Sequence, residues 1–188
     1  MLELLHELDH TILIWIQSVF VHEALTPVIT FITHLGNVGM IWIILSAVLC
    51  LNKKTRRTGL LAFMALFITF LIDNVLLKNL VARIRPYDAT SLVRLLIEKQ
   101  DDFSFPSGHT GSAFAVAGVI ARRMPKKYGV PCILFAALQG FTRLYAGVHY
   151  PSDVIVGAVN GSMIAAAVVH TERMLLLRRC KHKSGQGE

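Results

Sequence analysis

Residues 58 to 82 read TGLLAFMALFITFLIDNVLLKNLVA, a nearly unbroken apolar run. A hydrocarbon layer about 30 Å thick takes about 20 such residues as a helix, and this run is long enough to cross it. Four more stretches fit the same description: 24 to 51, interrupted by GNVG at 36–39, then 107 to 123, 129 to 147 and 152 to 177. In lipid a spanning backbone satisfies its polar groups within a helix or a closed barrel. The lengths choose helices, so the fold expected is all-α, a polytopic membrane helical bundle. Composition agrees: 54% of residues are hydrophobic and 16% charged, against about 25% charged in an ordinary soluble domain. At the N-terminus Leu4, Leu5, Leu8, Ile12 and Trp15 follow a helical period while Glu3, Glu7, Asp9 and His10 interleave. That pattern predicts an amphipathic helix over 2–20, lying in the interface or adding a sixth span to the five. We expect a single membrane-embedded domain over 1–188, with the N-terminal helix in 1–22, a transmembrane core in 24–177 and a basic tail in 178–188.

The net charge of +7 is a matter of topology. Thirteen of the nineteen Lys and Arg fall at 53–57, 122–127 and 173–183, alternating correctly with five spans. The positive-inside rule assigns these segments to the cytoplasm. Basic clusters separated by spans, with no aromatic stacking platform, argue against a nucleic-acid partner. The loop at 84–106 and the turn at 148–152 then face outward. Cys50, Cys132 and Cys180 have no metal-binding spacing and are read as idle thiols.

Six cations break the inside bias, and three of them sit at the outward helix ends beside two histidines. Lys78 and Arg85 close the second span, PSGH (106–109) opens the third, Arg143 ends the fourth, and His149 and Asp153 straddle the start of the fifth. Bundled helices bring these segments to one depth. Lys78, Arg85 and Arg143 can neutralise a dianion, the arginines with bidentate forks. Pro106 suits a first helical turn, so the N–H groups of Ser107, Gly108 and His109 are expected to point at an anion with the helix dipole behind them. His149 and Asp153, four apart, would share a helix face, where a carboxylate fixes the imidazole tautomer and stabilises its cation. That makes His149 a candidate nucleophile and His109 a candidate general acid. The cations and amides already supply the charge that phosphoryl transfer asks for, so neither metal nor other cofactor is expected.

KNLVARIRP (78–86), PSGH (106–109) and TRLYAGVHYPSD (142–153) together resemble the three signature motifs of the type 2 phosphatidic-acid phosphatase superfamily, in order and in spacing. The resemblance covers about 58–175 and implies a helical phosphatase core. It implies a nucleophile at His149 that forms a phosphohistidine, an orienting carboxylate at Asp153 and an acid at His109. It also implies a phosphate-binding set of Lys78, Arg85, Ser107, Gly108 and Arg143. Thr142 departs from the serine usual there. The activity implied is hydrolysis of a lipid phosphate in the membrane, with undecaprenyl diphosphate the leading substrate and phosphatidylglycerol phosphate or phosphatidate the alternatives. A non-catalytic lipid-phosphate binder or transporter is the reading of another class; it would need the cations but not the histidines and Asp153. The spans exclude a soluble haloperoxidase-like protein.

Other residues receive plainer expectations. Asp73, an acid inside a span, is costly and is expected to pair with a motif cation or a neighbouring helix. Arg83 and Arg94 are assigned headgroup or loop contacts, and Tyr87, Asp101 and Asp102 a solvated loop. GNVG is read as a helix break, and Gly157–Gly161 as a close helix contact. His6, His10, His22, His34, His170 and His182 receive no chemistry.

Overall fold

The computed structural model describes residues 2–184, and side chains from 4 to 178. Cys180, His182 and most of the basic tail therefore lie outside the described side chains. The elements are α1 (Leu2–Phe20), α2 (Thr26–Leu35), a 3-10 turn (Asn37–Gly39), α3 (Met40–Leu51) and α4 (Arg56–Thr69). They continue with a π-helical segment (Phe70–Leu77), α5 (Lys78–Val81), α6 (Pro86–Ala89), α7 (Gly108–Arg123), α8 (Lys126–Tyr145) and α9 (Pro151–Ser184). No strand occurs among the described residues, as the apolar lengths required.

Helix α7 is the axis of the bundle. Gly111, Ala113, Ala115, Ala117 and Gly118 leave it thin, and it is buried over nearly its whole length between α4, α8 and α9. The α9 contact is the closest, because Gly157 and Gly161 carry no side chain. A Cβ at Gly161 would stand 2.2 Å from the Gly111 carbonyl oxygen and one at Gly157 2.6 Å from that of Ser107. Small residues on facing helices let backbones approach this way, which is the packing role expected of the GxxxG pair.

Two stretches, Arg56–Ala89 and Pro151–Arg178, are long and apolar enough to cross a membrane, and the pair Thr26–Leu35 with Asn37–Leu51, bent by 48°, is a third. The bend is at GNVG, where Val38 has φ 55° and Gly39 φ 70°. The other two expected spans read differently. Helix α7 has 16 residues, about 24 Å at 1.5 Å per residue, and needs no lipid-facing surface because its neighbours enclose it. Helix α8 carries Lys126, Lys127 and Arg143, which lower its hydropathy.

The π-helical segment has a visible consequence. Its wider turn faces Asp73 inward, wholly buried against α7, where Asn160 Nδ2 of α9 donates to its Oδ1 at 3.1 Å. Asp73 thus pairs with a neighbouring helix.

Helix α1 is amphipathic with an unusual orientation. Leu4, Leu5, Leu8, Ile12, Trp15 and Val19 are 42–59% exposed, while Asp9 and Gln17 are buried beside Leu13. Its exposed apolar stripe faces away from the protein, and its inward face is mixed: Asp9 and Gln17 with Leu13 and Ile16, while Glu7 is exposed. Gln17 fastens it there: Nε2 donates to the carbonyls of Arg94 (2.9 Å) and Tyr145 (3.0 Å), and Oε1 accepts from the Arg94 N–H (2.9 Å).

Candidate active site

A cavity of about 590 Å³ runs into the bundle between α3, α4 and α7. Its inner end is polar and receives Lys78, Arg85, Gly108, His109, Arg143 and His149. Its outer wall is apolar, with Ile43 from α3 and Phe63, Phe67 and Phe70 along α4 and its continuation. Phe67 and Phe70 are also exposed on the outer surface, so the cavity opens sideways between two helices. Gly36, Val38 and Gly39 line it too; the GNVG break shapes the cavity as well as ending a helix.

His149 sits in the turn between α8 and α9, where Gly147 (φ 75°) reverses the chain. Its Nε2 reaches the cavity, 3.5 Å from Arg85 Nη1, and its Nδ1 is 3.6 Å from Asp153 Oδ2. The shared helix face expected for this pair is not formed, because α9 begins only at Pro151. The two meet because Asp153 folds back over the turn, its Oδ2 accepting from the Tyr150 N–H at 2.9 Å and from Ser104 Oγ at 2.5 Å. This turn lies outside the spanning helices. Burial, opposed by the Asp153 hydrogen bond and reinforced by Arg85 and Arg143, holds the imidazole down to about 3. That favours the neutral ring, whose Nε2 lies towards the cavity beside Arg85 Nη1.

The cations are arranged round the same cavity. Arg143 is 1% exposed; its Nη1 donates to Thr33 Oγ1 of α2 at 2.8 Å and its Nε has no partner among the described residues. Arg85 is anchored by Nη1 to the Val148 carbonyl (2.7 Å) and by Nε to the Asp102 carbonyl (2.8 Å). Asp102, expected in a solvated loop, instead bridges the two remaining donors: its carboxylate pairs with both Lys78 Nζ and Arg85 Nη2. Burial alone would raise its pKa, but Lys78 and Arg85 outweigh it and hold the carboxyl below the usual range. The side chain is half-exposed.

The expectation for Ser107 needs correction. The Ser107 N–H donates to the Asp153 carbonyl at 3.1 Å and its hydroxyl meets Thr110 Oγ1 at 2.9 Å; buried behind the site, Ser107 braces α7 against α9. Gly108 does line the cavity, with Asn74 over it: a Cβ there would stand 2.4 Å from Asn74 Oδ1. The Thr142 hydroxyl turns back to the Gln139 carbonyl at 2.7 Å. His109 lines the cavity, its Nε2 3.1 Å from Asn37 Oδ1 of the GNVG turn.

Arg83 is not a loop contact. One guanidinium edge, Nη1, donates to Asp153 Oδ1 and Ser152 Oγ, both at 2.7 Å, and Nη2 donates to Asp9 Oδ2 at 2.6 Å. Ser104, Thr33 and Asn37 likewise belong to the site without any local signal. Only their position across helix contacts reveals them.

A helical membrane bundle whose cavity ends in three cations and two imidazoles is a protein built to hold an anion and act on it. The chain belongs to the PAP2 superfamily, whose profile matches residues 57–176. It is 32% identical to the undecaprenyl-diphosphatase of Sulfolobus acidocaldarius over 148 residues, 79% of this chain and 71% of that protein. It is 33% identical over 152 residues to the undecaprenyl-diphosphatase BcrC of Bacillus subtilis, covering 79% and 72%. The crystal structure of Aquifex aeolicus LpxE superposes with a TM-score of 0.76 at 28% identity, over 85% of this chain and 93% of that one.

Proposed function

We propose that the protein is a membrane phosphatase that hydrolyses a lipid-linked phosphate or diphosphate, with undecaprenyl diphosphate the leading substrate. One observation carries this reading: a single cavity joins three cations and His149 to an apolar wall open between α3 and α4. A molecule with a phosphate at one end and a hydrocarbon chain at the other fits it. The named activity of two relatives selects the prenyl diphosphate.

The phosphate displaces the Asp102 carboxylate and takes Lys78, Arg85 and Arg143 as partners, with the Gly108 backbone beside it. His149 Nε2 then attacks phosphorus. The P–O bond to the leaving group breaks, and His109, which takes up a proton when the phosphate dianion enters among the three cations, gives that oxygen its proton. The phosphorylated ring is cationic, and Asp153 stabilises it through Nδ1–H. Neutral His109 next takes a proton from water, whose oxygen attacks phosphorus and breaks the P–N bond. Inorganic phosphate leaves and His149 is neutral again. The three cations supply the electrostatic stabilisation.

The charge pattern supports a multi-pass arrangement with α7 and α8 as further, protein-enclosed spans. It also supports an extracytoplasmic site, since the loops at 53–57 and 122–127 carry the basic clusters. Helix α1 presents its apolar stripe to lipid in this arrangement.

The test is phosphate release by the full chain in detergent with EDTA, from undecaprenyl diphosphate, phosphatidylglycerol phosphate and phosphatidate in parallel. Release that survives EDTA and vanishes in His149→Ala is the expected result, with the prenyl diphosphate turned over fastest. Release that persists in His149→Ala overturns the phosphohistidine. No release from any of the three by a folded protein leaves the binding or transport reading in its place.

A further inference from the structure

Behind His149, away from the cavity, lies a chain of charges that the reaction as derived does not use. Asp153 Oδ2 faces His149; its Oδ1 accepts from Arg83 Nη1 at 2.7 Å. Arg83 lies over the Tyr150 ring, 3.9 Å from its centroid, and its other nitrogen, Nη2, donates to Asp9 Oδ2 at 2.6 Å. Asp9 also accepts from the Ser152 N–H (Oδ1, 2.9 Å) and from Ser152 Oγ (Oδ2, 2.5 Å), at the first turn of α9. Asp9 is 6% exposed, and it comes from α1, outside the segment 57–176 that matches the family profile.

We propose that Asp9 is a positioning residue for the His149–Asp153 pair, acting through Arg83; this rests on His149 being the nucleophile. Two physical effects follow from the geometry. The first is orientation. A carboxylate with one oxygen held by Arg83 and the other by Ser104 and Tyr150 N–H cannot rotate, so Oδ2 stays aimed at Nδ1 and the Nε2 lone pair stays aimed at the cavity. Asp9 supplies the one charged partner that fixes the guanidinium from behind among the described residues, alongside the Tyr150 ring, Ser152 Oγ at 2.7 Å and His6 Nδ1 at 3.2 Å. The second is charge. Arg83 alone would cancel Asp153 as seen from His149, and a cancelled carboxylate stabilises an imidazolium poorly. With Asp9 present the Asp9–Arg83–Asp153 set carries one net negative charge, which faces the cation formed on His149. Helix α1 is therefore part of the catalytic apparatus without touching substrate.

The full chain in detergent is assayed as wild type, Asp9→Asn, Arg83→Gln, Arg83→Lys and the Asp9→Asn/Arg83→Gln double variant, each checked for folding by its melting temperature. Asp9→Asn should lower kcat by about 10- to 100-fold with KM within about threefold. The double variant should be no worse than Arg83→Gln alone, and Arg83→Lys should recover part of the Gln loss. Unchanged kcat in a folded Asp9→Asn protein overturns the proposal, as does full additivity of the two losses. A second readout needs no turnover: the ¹⁵N resonances of His149, assigned by their loss in His149→Ala. The expected result is one Nδ1–H tautomer in wild type and a tautomer mixture in Asp9→Asn. Identical spectra sink the proposal even if no lipid is hydrolysed. An altered spectrum with no wild-type turnover upholds the wiring and counts against the phosphatase reading alone.

Discussion

The two sides of His149 are built on opposite rules. Behind the ring every charge is matched: Asp153 with Arg83, Arg83 with Asp9, and the spare lone pairs with Ser104 and with the Tyr150 and Ser152 N–H groups. In front, three cations face one anion, Asp102, which is half-exposed, and Arg143 keeps an unpartnered Nε. A fully satisfied network is rigid, while an unsatisfied one stores affinity for whatever completes it. In the reaction proposed, the rear holds the nucleophile still and, in front, a phosphate dianion takes over the cations that Asp102 pairs with here.

The largest effect expected from breaking this contrast is at its centre. Asp153→Asn, which keeps the shape and loses the charge, should lower kcat by about 10⁴-fold, the cost of a mis-set tautomer in a comparable dyad; a loss in KM alone would mean that the rear positions substrate instead. His109→Ala should cost about 10²- to 10⁴-fold in kcat as a lost general acid, and a leaving group of lower pKa should recover part of it. In front, Phe67→Asp places a charge at the side opening and should raise KM for a long prenyl chain while a short-chain analogue is unaffected; equal effects on both would move the chain elsewhere. The smallest effect should have the opposite sign. Asp102→Asn removes the competitor and should tighten binding of inorganic phosphate by about two- to fivefold, the scale of a half-exposed ion pair, read by calorimetry on the empty protein.

A pH experiment sharpens the same comparison. The His149 imidazole is held near 3 in the folded, empty protein, against 6.5 ordinarily. Above 6.5 neither state binds the proton, so nothing is lost. As pH falls from 6.5 towards 3 the unfolded chain takes up a proton that the folded chain refuses, and stability declines. The melting temperature of wild type should fall more steeply through that window than that of His149→Gln. Parallel curves would show that the ring protonates readily in place.

Much of this was legible along the chain. The apolar runs set the fold class because helices are the economical way through lipid, and motif spacing picked out Lys78, Arg85, His109, Arg143, His149 and Asp153, all of which converge. The failures share one cause. Ser107 was assigned a free N–H, Arg83 headgroup or loop contacts, Asp102 a solvated loop, and His149 and Asp153 a helix face, because each was judged from its neighbours in sequence. Their partners are Asp153, Asp9, Lys78 and a turn held by Ser104, and periodicity carries no information about contacts across 17 to 74 positions.

By itself, then, the sequence determined that this chain is a helical membrane protein and which side chains can carry phosphate chemistry, since both follow from local properties: hydropathy per residue, and donor types at fixed spacing. Only the tertiary structure decided that α1 turns Asp9 inward onto Arg83, that Asp102 pairs with both Lys78 and Arg85, and that the cavity opens sideways between α3 and α4. Those are outcomes of packing, where the groups that satisfy a buried charge are chosen by which helices lie side by side.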